Sequence, residues 1–284
     1  MTRHDYPATG AWFPGMPVGG RKFAHFPEDR PFALDGGKVL SNVSIAYESW
    51  GTLNADATNA ILICHAWTGD SHVTGAAEEG NPTPGWWEGV VGPGKAIDTN
   101  KWFVVCSNVI GGCQGSTGPA TAHPEDGQLY GSRFPVITIR DMVRAQVRLT
   151  DMLGIRKWHS VVGGSMGGMQ VLEWAVTFPD RVKTIVPIAT CVQATAQQIA
   201  WGAIGRRAIR LDPKWRNGEY YGAAIGEGPW EGLAIARMIS QVTFRSDNVF
   251  TERFGRALVD MDADYNGLGL WDRFEVEGYL DHHG

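Results

Sequence analysis

The sequence contains few cysteines and no long apolar run. The four cysteines, Cys64, Cys106, Cys113 and Cys191, form no CxxC pair in 284 residues, so we interpret them as reduced thiols rather than a disulfide framework. No apolar run approaches the roughly 18 residues that a transmembrane helix needs, and the first residues hold no apolar signal segment. We therefore expect a cytoplasmic protein without a membrane span.

Basic charge and metal-binding clusters are also scarce. Lys and Arg number 25 against 30 Asp and Glu, which gives a net charge of -5 and argues against nucleic acid as a partner. His65 and His72 have no matching carboxylate cluster nearby, so we expect no metal site. Glycine and tryptophan, in contrast, are frequent, with 37 and 12 residues, which indicates many tight turns and large apolar rings.

Short apolar runs alternate with helical patterns over the first two thirds of the chain. The predicted buried strands are residues 60–65, 102–107, 158–162 and 184–189, and the predicted helices are 139–153 and 169–178. Such alternation is typical of an α/β fold with a mostly parallel sheet covered on both faces. Ahead of it, we interpret residues 1–30 as an irregular arm and 32–48 as an antiparallel hairpin around the turn at Asp35-Gly36.

The pattern changes after Thr190. Residues 197–209, 231–242 and 248–259 have helical spacing, and no convincing buried strand follows. We therefore divide the chain into a core with its N-terminal arm, residues 1–190, and a helical insertion, residues 191–284.

The stretch Gly163-Gly164-Ser165-Met166-Gly167 contains a GxSxG motif between a predicted strand and a predicted helix. Such a bend exposes a strained serine beside the unpaired N–H groups of a helix N-terminus. We predict that Ser165 is a nucleophile, with the backbone N–H groups of Met166 and Trp67 as the two oxyanion donors. A glycine-rich turn that serves only packing is the alternative.

Several longer motifs carry a family resemblance. They are Gly85-Trp86-Trp87, Gly111-Gly112-Cys113-Gln114-Gly115-Ser116-Thr117-Gly118-Pro119, Gly131-Ser132-Arg133-Phe134-Pro135, Ile139-Arg140-Asp141 and the segment 163–168. From about residue 32 to the last residue, the sequence resembles homoserine O-acetyltransferases. The resemblance implies an α/β-hydrolase fold with a helical lid and a homodimer joined through the lid helices. It also implies transfer of an acetyl group from acetyl-CoA, through Ser165, to L-homoserine in methionine biosynthesis, with acetyl-CoA as co-substrate and no further cofactor.

The resemblance extends to one lid arginine. The stretch Gly232-Leu233-Ala234-Ile235-Ala236-Arg237-Met238 is similar to the family segment whose arginine binds the homoserine carboxylate. A planar guanidinium suits that role because it grips a carboxylate through two hydrogen bonds. A structural or solvated arginine is the alternative, and Arg245 is the second candidate.

The sequence departs from the family pattern after the lid. The family's catalytic acid, its histidine and the aspartate beside that histidine have no counterpart in this sequence, which ends at Asp281-His282-His283-Gly284. Neither His282, His283 nor His65 fits the base position well. We expect a shortened chain that exposes a sheet edge and has lost most acetyl transfer, because a serine hydroxyl needs a base.

Three other functions are compatible with the same motifs. A serine ester hydrolase uses the same nucleophile bend. A relative that uses succinyl-CoA, or serine as acceptor, requires only a few different pocket residues. A catalytically impaired fragment that serves binding or dimerisation is the third.

Overall fold

The computed structural model describes residues 6–259 and 274–284. Its strands are β1 Lys22–His25, β2 Phe32–Ala33, β3 Val39–Leu40, β4 Ser44–Trp50, β5 Ala60–Cys64, β6 Val91–Gly92, β7 Ile97–Asp98, β8 Phe103–Ser107, β9 Trp158–Gly164 and β10 Val182–Ile188. Its α-helices are α1 Ile139–Met152, α2 Met166–Thr177, α3 Ala196–Leu211, α4 Trp230–Thr243, α5 Asp247–Phe254 and α6 Glu275–His283. Short 3-10 helices cover Gly131–Arg133, Pro179–Arg181 and Pro213–Gly218.

The chain forms two compact units. One is Gly10–Gln193, and the other combines Ala194–Gly284 with the N-terminal segment that ends at Thr9. The sequence instead predicts that this segment belongs with the core. In the structure, the Gly226 N–H donates to the Tyr6 carbonyl at 2.8 Å, and the Tyr6 and Trp230 rings lie 5.1 Å apart. These long-range contacts leave no periodic signal in the sequence.

The main sheet has the strand order β1-β4-β8-β5-β9-β10. β5 runs parallel to both β8 and β9, and β10 runs parallel to β9. β4 is antiparallel to β8 and to β1. The mostly parallel sheet predicted from the sequence is therefore confirmed, with two antiparallel pairings, β8 with β4 and β4 with β1, at one side.

The predicted hairpin at 32–48 is wrong in its second strand. β2 pairs with β3 around the turn at Asp35-Gly36, whereas β4 leaves the hairpin and joins the main sheet. Its antiparallel neighbour β1 lies inside the arm that we predicted to be irregular. β1 has four residues with a single buried side chain, so its alternation is too short to be recognised without its partner.

The apolar core covers both faces of the sheet. Alternate residues of a strand point to opposite faces, and accordingly Leu62 and Cys64 of β5 belong to one buried cluster while Ile61 and Ile63 belong to another. Trp174 of α2 packs in the first cluster, and Val73 packs in the second. Because both faces are covered, β5 reads as a continuous apolar run in the sequence.

β10 is less buried than its apolar sequence predicts. It forms the edge of the main sheet, and Val186 and Ile188 are 43% and 40% exposed. Only Val182 and Ile185 pack against the core, as partly buried residues. The exposed sheet edge expected from the sequence is therefore present at β10. The burial on both faces that its apolar sequence predicts is wrong, because composition alone does not report whether both faces are covered.

The unit that contains the insertion is helical, as predicted. α3 begins at a capping box, in which the Thr195 hydroxyl accepts the Gln198 N–H and the Gln198 side chain accepts the Thr195 N–H. α5 ends at Phe254, earlier than predicted, because Gly255 terminates it with a φ of 51°. α6 was not anticipated from the sequence. Within the two described ranges, no helix has the length and apolar character needed to span a bilayer.

Candidate active site

Ser165 occupies a sharp bend between β9 and α2. Its φ of 55° and ψ of -121° lie outside the regions that L-residues favour, and such a backbone costs about 1–3 kcal/mol. Hydrogen bonds hold the strained peptide: the Ser165 N–H donates to the Ile188 carbonyl at 3.0 Å, and the Thr190 hydroxyl donates to the Ser165 carbonyl at 2.8 Å. The residue is exposed, and its hydroxyl caps no helix N–H. The predicted strand–helix bend is present.

The bend depends on the close approach of α2 to the end of β5. A Cβ at Gly167 would lie 2.0 Å from the Cys64 carbonyl oxygen and 3.0 Å from that of His65. Only glycine fits at this position. The first turn of α2 therefore contacts the backbone at the end of β5, where the following loop begins.

The loop after β5 lies at the same edge of the sheet as the bend. Cys64 of β5 pairs in parallel register with Gly163 of β9, so the two strands end at the same edge of the sheet. The Trp67 side chain is 76% exposed, and within the described residues its N–H has no backbone acceptor. Met166 is the first residue of α2, so its N–H has no partner inside the helix. The structure thus brings together the two segments that carry the predicted oxyanion donors.

His65 connects this loop to the loop after β8. Its Nδ1 lies 2.7 Å from the Ala66 carbonyl oxygen, and the Val109 N–H donates to its Nε2 at 3.2 Å. An accepting Nε2 fixes the neutral tautomer with the proton on Nδ1. Burial lowers the pKa of His65, although the Ala66 carbonyl and the Asp70 charge oppose this effect. With both ring nitrogens bonded to the backbone, His65 acts as a support for the loop.

A buried polar cluster that the sequence analysis missed fixes the remainder of this loop. The Ser71 hydroxyl donates to Glu48 Oε1 at 3.0 Å, and His72 Nδ1 lies 3.0 Å from Glu48 Oε2. Asn108 exchanges two hydrogen bonds with Ser71, of 2.9 and 3.0 Å. His72 is therefore engaged by a carboxylate of β4. These partners are far apart in sequence, and no local motif links them.

The two candidate arginines differ in their surroundings within the helical unit. Arg237 lies exposed on α4 and donates from Nε to the His283 carbonyl at 3.1 Å. Arg245 donates from one terminal nitrogen to the backbone and side-chain oxygens of Gln241, and its guanidinium lies 5.5 Å from the Tyr279 ring centre. Arg245 is thus committed to contacts within its own unit. For Arg237, the described residues offer no recorded partner to the terminal guanidinium nitrogens.

The two C-terminal histidines lie in α6. His283 packs against Tyr279 with ring centres 4.5 Å apart. Desolvation, followed by the positive charges of His282, Arg245 and Arg237, lowers the pKa of His283. Within the Gly10–Gln193 unit, which the structure describes throughout, no histidine forms a hydrogen bond with the Ser165 hydroxyl.

Comparisons with known proteins agree with the fold and the motifs. A family model described as the alpha/beta hydrolase fold matches residues 59–283. A homoserine O-acetyltransferase from Thermobifida fusca (strain YX) is 52% identical over 282 residues, which cover 99% of this chain and 72% of that protein. The chain belongs to the homoserine O-acetyltransferase family. The resemblance and the α/β-hydrolase fold inferred from the sequence are confirmed.

Two solved structures extend this comparison. The crystal structure of a homoserine O-acetyltransferase from Bacillus anthracis matches with a TM-score of 0.79 and 30% identity, covering 92% of this chain and 69% of that one. The crystal structure of an esterase matches with the same TM-score and 32% identity, covering 92% of this chain and 71% of that one. The fold is therefore shared by proteins named for transfer and for hydrolysis, and the assigned residues of this site stay predictions.

Proposed function

We propose that the protein transfers an acetyl group from acetyl-CoA to the hydroxyl of L-homoserine, with Ser165 as the acyl carrier. The observation that supports this most strongly is an exposed serine, Ser165, on a strained strand–helix bend, in a chain that belongs to this family. Strain at such a bend is retained at functional sites because it presents the nucleophile to solvent.

In the first half-reaction, Ser165 Oγ attacks the thioester carbonyl of acetyl-CoA. Negative charge develops on the carbonyl oxygen, and the N–H groups of Trp67 and Met166 stabilise it, together with the positive end of α2. The tetrahedral intermediate then expels coenzyme A as the thiolate and leaves an acetyl ester on Ser165. A general base must accept the Ser165 proton, and His65 does not serve because its two nitrogens are already bonded to the backbone.

In the second half-reaction, the homoserine hydroxyl attacks the acetyl ester and Ser165 is regenerated. Arg237 binds the homoserine carboxylate, since a guanidinium pairs with a carboxylate through two charge-assisted hydrogen bonds. Arg245 fits this role less well because its guanidinium is already bonded to Gln241. Two half-reactions through one covalent intermediate give ping-pong kinetics.

Ester hydrolysis is the second candidate, because an esterase shares the fold at 32% identity. The same acetyl-serine would then react with water instead of an amino acid hydroxyl. The two functions differ only in the acceptor, so exclusion of water from the acyl-enzyme decides between them.

The experiment measures release of coenzyme A from acetyl-CoA with and without L-homoserine. Homoserine-dependent release, with O-acetyl-L-homoserine as product, is the expected result, at a low rate because no histidine of this sequence fits the position of the general base. Equal release without an amino acid would indicate hydrolysis. Succinyl-CoA and L-serine, tested in parallel, identify a relative with a different donor or acceptor, and Ser165→Ala is the control for release that does not involve Ser165.

We further propose that the protein is a homodimer joined through its helical unit. The support is a set of large apolar side chains that α3 and α4 leave exposed: Ile199, Trp201, Ile204, Leu211, Leu233, Ile235 and Val242. Exposed apolar patches of this kind commonly mark protein–protein contacts, and a twofold interface buries the same patch on both copies. Light scattering on Ile204→Glu tests this, with a monomer as the expected result and an unchanged dimer as the contrary one.

A further inference from the structure

Two buried glutamines lie beneath the bend at Ser165. Gln146 belongs to α1 and Gln170 to α2, and they are 3% and 0% exposed. The Trp174 indole donates to Gln146 Oε1 at 2.8 Å, and Gln146 Nε2 donates to Gln170 Oε1 at 2.8 Å. Buried amides need all their partners, because an unpaired buried amide costs about 1–3 kcal/mol. These three side chains therefore form one connected network.

Trp174 determines the direction of every hydrogen bond in this network. An indole nitrogen can only donate, so the Gln146 atom facing Trp174 must be its oxygen. The Gln146 nitrogen must then face Gln170, and the Gln170 atom that receives it must also be an oxygen. Gln170 Nε2 is consequently directed to the other side, toward the bend.

The Gln170 nitrogen faces the two segments that carry the proposed oxyanion donors. It lies 3.3 Å from the carbonyl oxygen of Met166 and 3.5 Å from that of His65. Met166 supplies one donor through its own N–H. His65 is two residues before Trp67, which supplies the other. One buried amide thus contacts both segments from below.

We propose that Gln170 is a positioning residue, which holds the loop after β5 at a fixed distance from the first turn of α2. The Trp67 and Met166 N–H groups then stay directed at one point in space. The expected effect of Gln170 on the reaction rests on the proposed function. The tethering of the loop by Gln170 is independent of that function. Sub-ångström placement of such donors is what makes an oxyanion site effective before the reaction begins.

The test compares Gln170→Met with Trp174→Phe. Methionine matches glutamine in length and removes the nitrogen that faces the loop. Trp174→Phe breaks the same network at its far end. The carbonyl oxygens of Met166 and His65 can only accept, so they still orient Gln170 Nε2 toward the loop in this variant, which controls for loss of core polarity. If Gln170→Met does not fold, Gln170→Asn replaces it, because the shorter side chain keeps an amide but falls short of His65.

The first measurement is amide hydrogen exchange of residues 65–69 in the complete protein. Gln170→Met is expected to speed this exchange at least about tenfold relative to wild type. A tenfold change corresponds to a free energy of local opening that is about 1.4 kcal/mol lower. Trp174→Phe is expected to leave it within about threefold of wild type, a change under 1 kcal/mol. Equal exchange of residues 65–69 in the two variants would overturn the proposal, and this readout needs no catalytic activity.

The second measurement separates kcat from KM for acetyl-CoA. Because misplaced donors weaken only the transition state, kcat of Gln170→Met is expected to fall about 10- to 100-fold, less than the loss of a whole donor, with KM nearly unchanged. An equal fall in Trp174→Phe, or an unchanged kcat in Gln170→Met, would refute the positioning role. If wild type itself transfers no acetyl group, the proposed function fails, and hydrogen exchange alone decides the tether.

Discussion

Gly167 of α2 is in direct contact with the carbonyl of Cys64 at the end of β5: a methyl group on Gly167 would lie 2.0 Å from that oxygen. The contact links the helix that follows Ser165 to the strand that precedes the Trp67 loop. The two halves of the candidate site are therefore joined through backbone, and their geometry depends on the absence of one side chain.

This contact predicts a sharp difference between two glycines of the same motif. Gly167→Ala must displace either α2 or β5, and overpacking of this kind costs about 1–3 kcal/mol or more. Gly164→Ala is the matched control, because a Cβ there meets nothing closer than the Ile188 carbonyl oxygen at 3.8 Å. Thermal unfolding should show a melting temperature several degrees lower for Gly167→Ala and nearly unchanged for Gly164→Ala. Equal melting temperatures would contradict the contact.

The strain at Ser165 predicts that a substitution which relieves it raises stability and removes activity. Ser165→Gly should abolish acetyl transfer and raise the free energy of unfolding by about 1 kcal/mol, because glycine adopts this backbone without strain. Ser165→Ala should be equally inactive but close to wild type in stability, since alanine keeps the strain. Chemical denaturation of the three proteins checks the order, and a Ser165→Gly variant less stable than Ser165→Ala would argue against a strained bend.

The bend could be predicted from the sequence because GxSxG is a local signal: the glycines and the flanking patterns lie within a few residues of Ser165. β1 could not be predicted, because its four residues are recognisable as a strand only through their pairing with β4. Gln170 was also missed, since a glutamine within a helix usually faces solvent. Its burial becomes visible only when Gln146 and Trp174, from elsewhere on α1 and α2, are placed against it.

Arg237 is predicted to act on the acceptor alone. Arg237→Ala should raise KM for L-homoserine about 10- to 100-fold. The variant loses a charge-assisted, hydrogen-bonded pair, which contributes about 1.5–3 kcal/mol of binding free energy. The acetyl-CoA half-reaction should be unchanged, because that substrate is proposed to meet Ser165 first. Arg245→Ala is the control, with KM for homoserine close to wild type. Steady-state kinetics with each substrate varied separately measures these values. A larger increase in KM for L-homoserine in the Arg245 variant than in the Arg237 variant would count against the assignment.

Glu88 is predicted to make the stability of the Gly10–Gln193 unit sensitive to acid. The Gly75 N–H, Lys95 and the Thr74 hydroxyl bind its carboxylate and lower its pKa to about 2. Because the folded pKa lies below the unfolded value of about 4.3, the stabilisation is complete above that value and is lost as the pH falls toward 2.

The corresponding experiment measures unfolding free energy against pH for Glu88→Gln and wild type. The variant should be less stable above about pH 5, and the difference should shrink steadily as the pH is lowered. Glu79→Gln, which removes a second exposed carboxylate of the same loop region, serves as the comparison for loss of a surface negative charge. A gap between Glu88→Gln and wild type that stays constant with pH would be inconsistent with the lowered pKa.

Mass spectrometry of the protein after exposure to acetyl-CoA, in the absence of any acceptor, tests directly whether Ser165 carries the acyl group. An acetyl group is expected on the peptide that contains Ser165, and it should disappear when L-homoserine is added and O-acetyl-L-homoserine forms. Homoserine-dependent release of coenzyme A without acetylation of Ser165, or with the acetyl group on another residue, would contradict this role of Ser165.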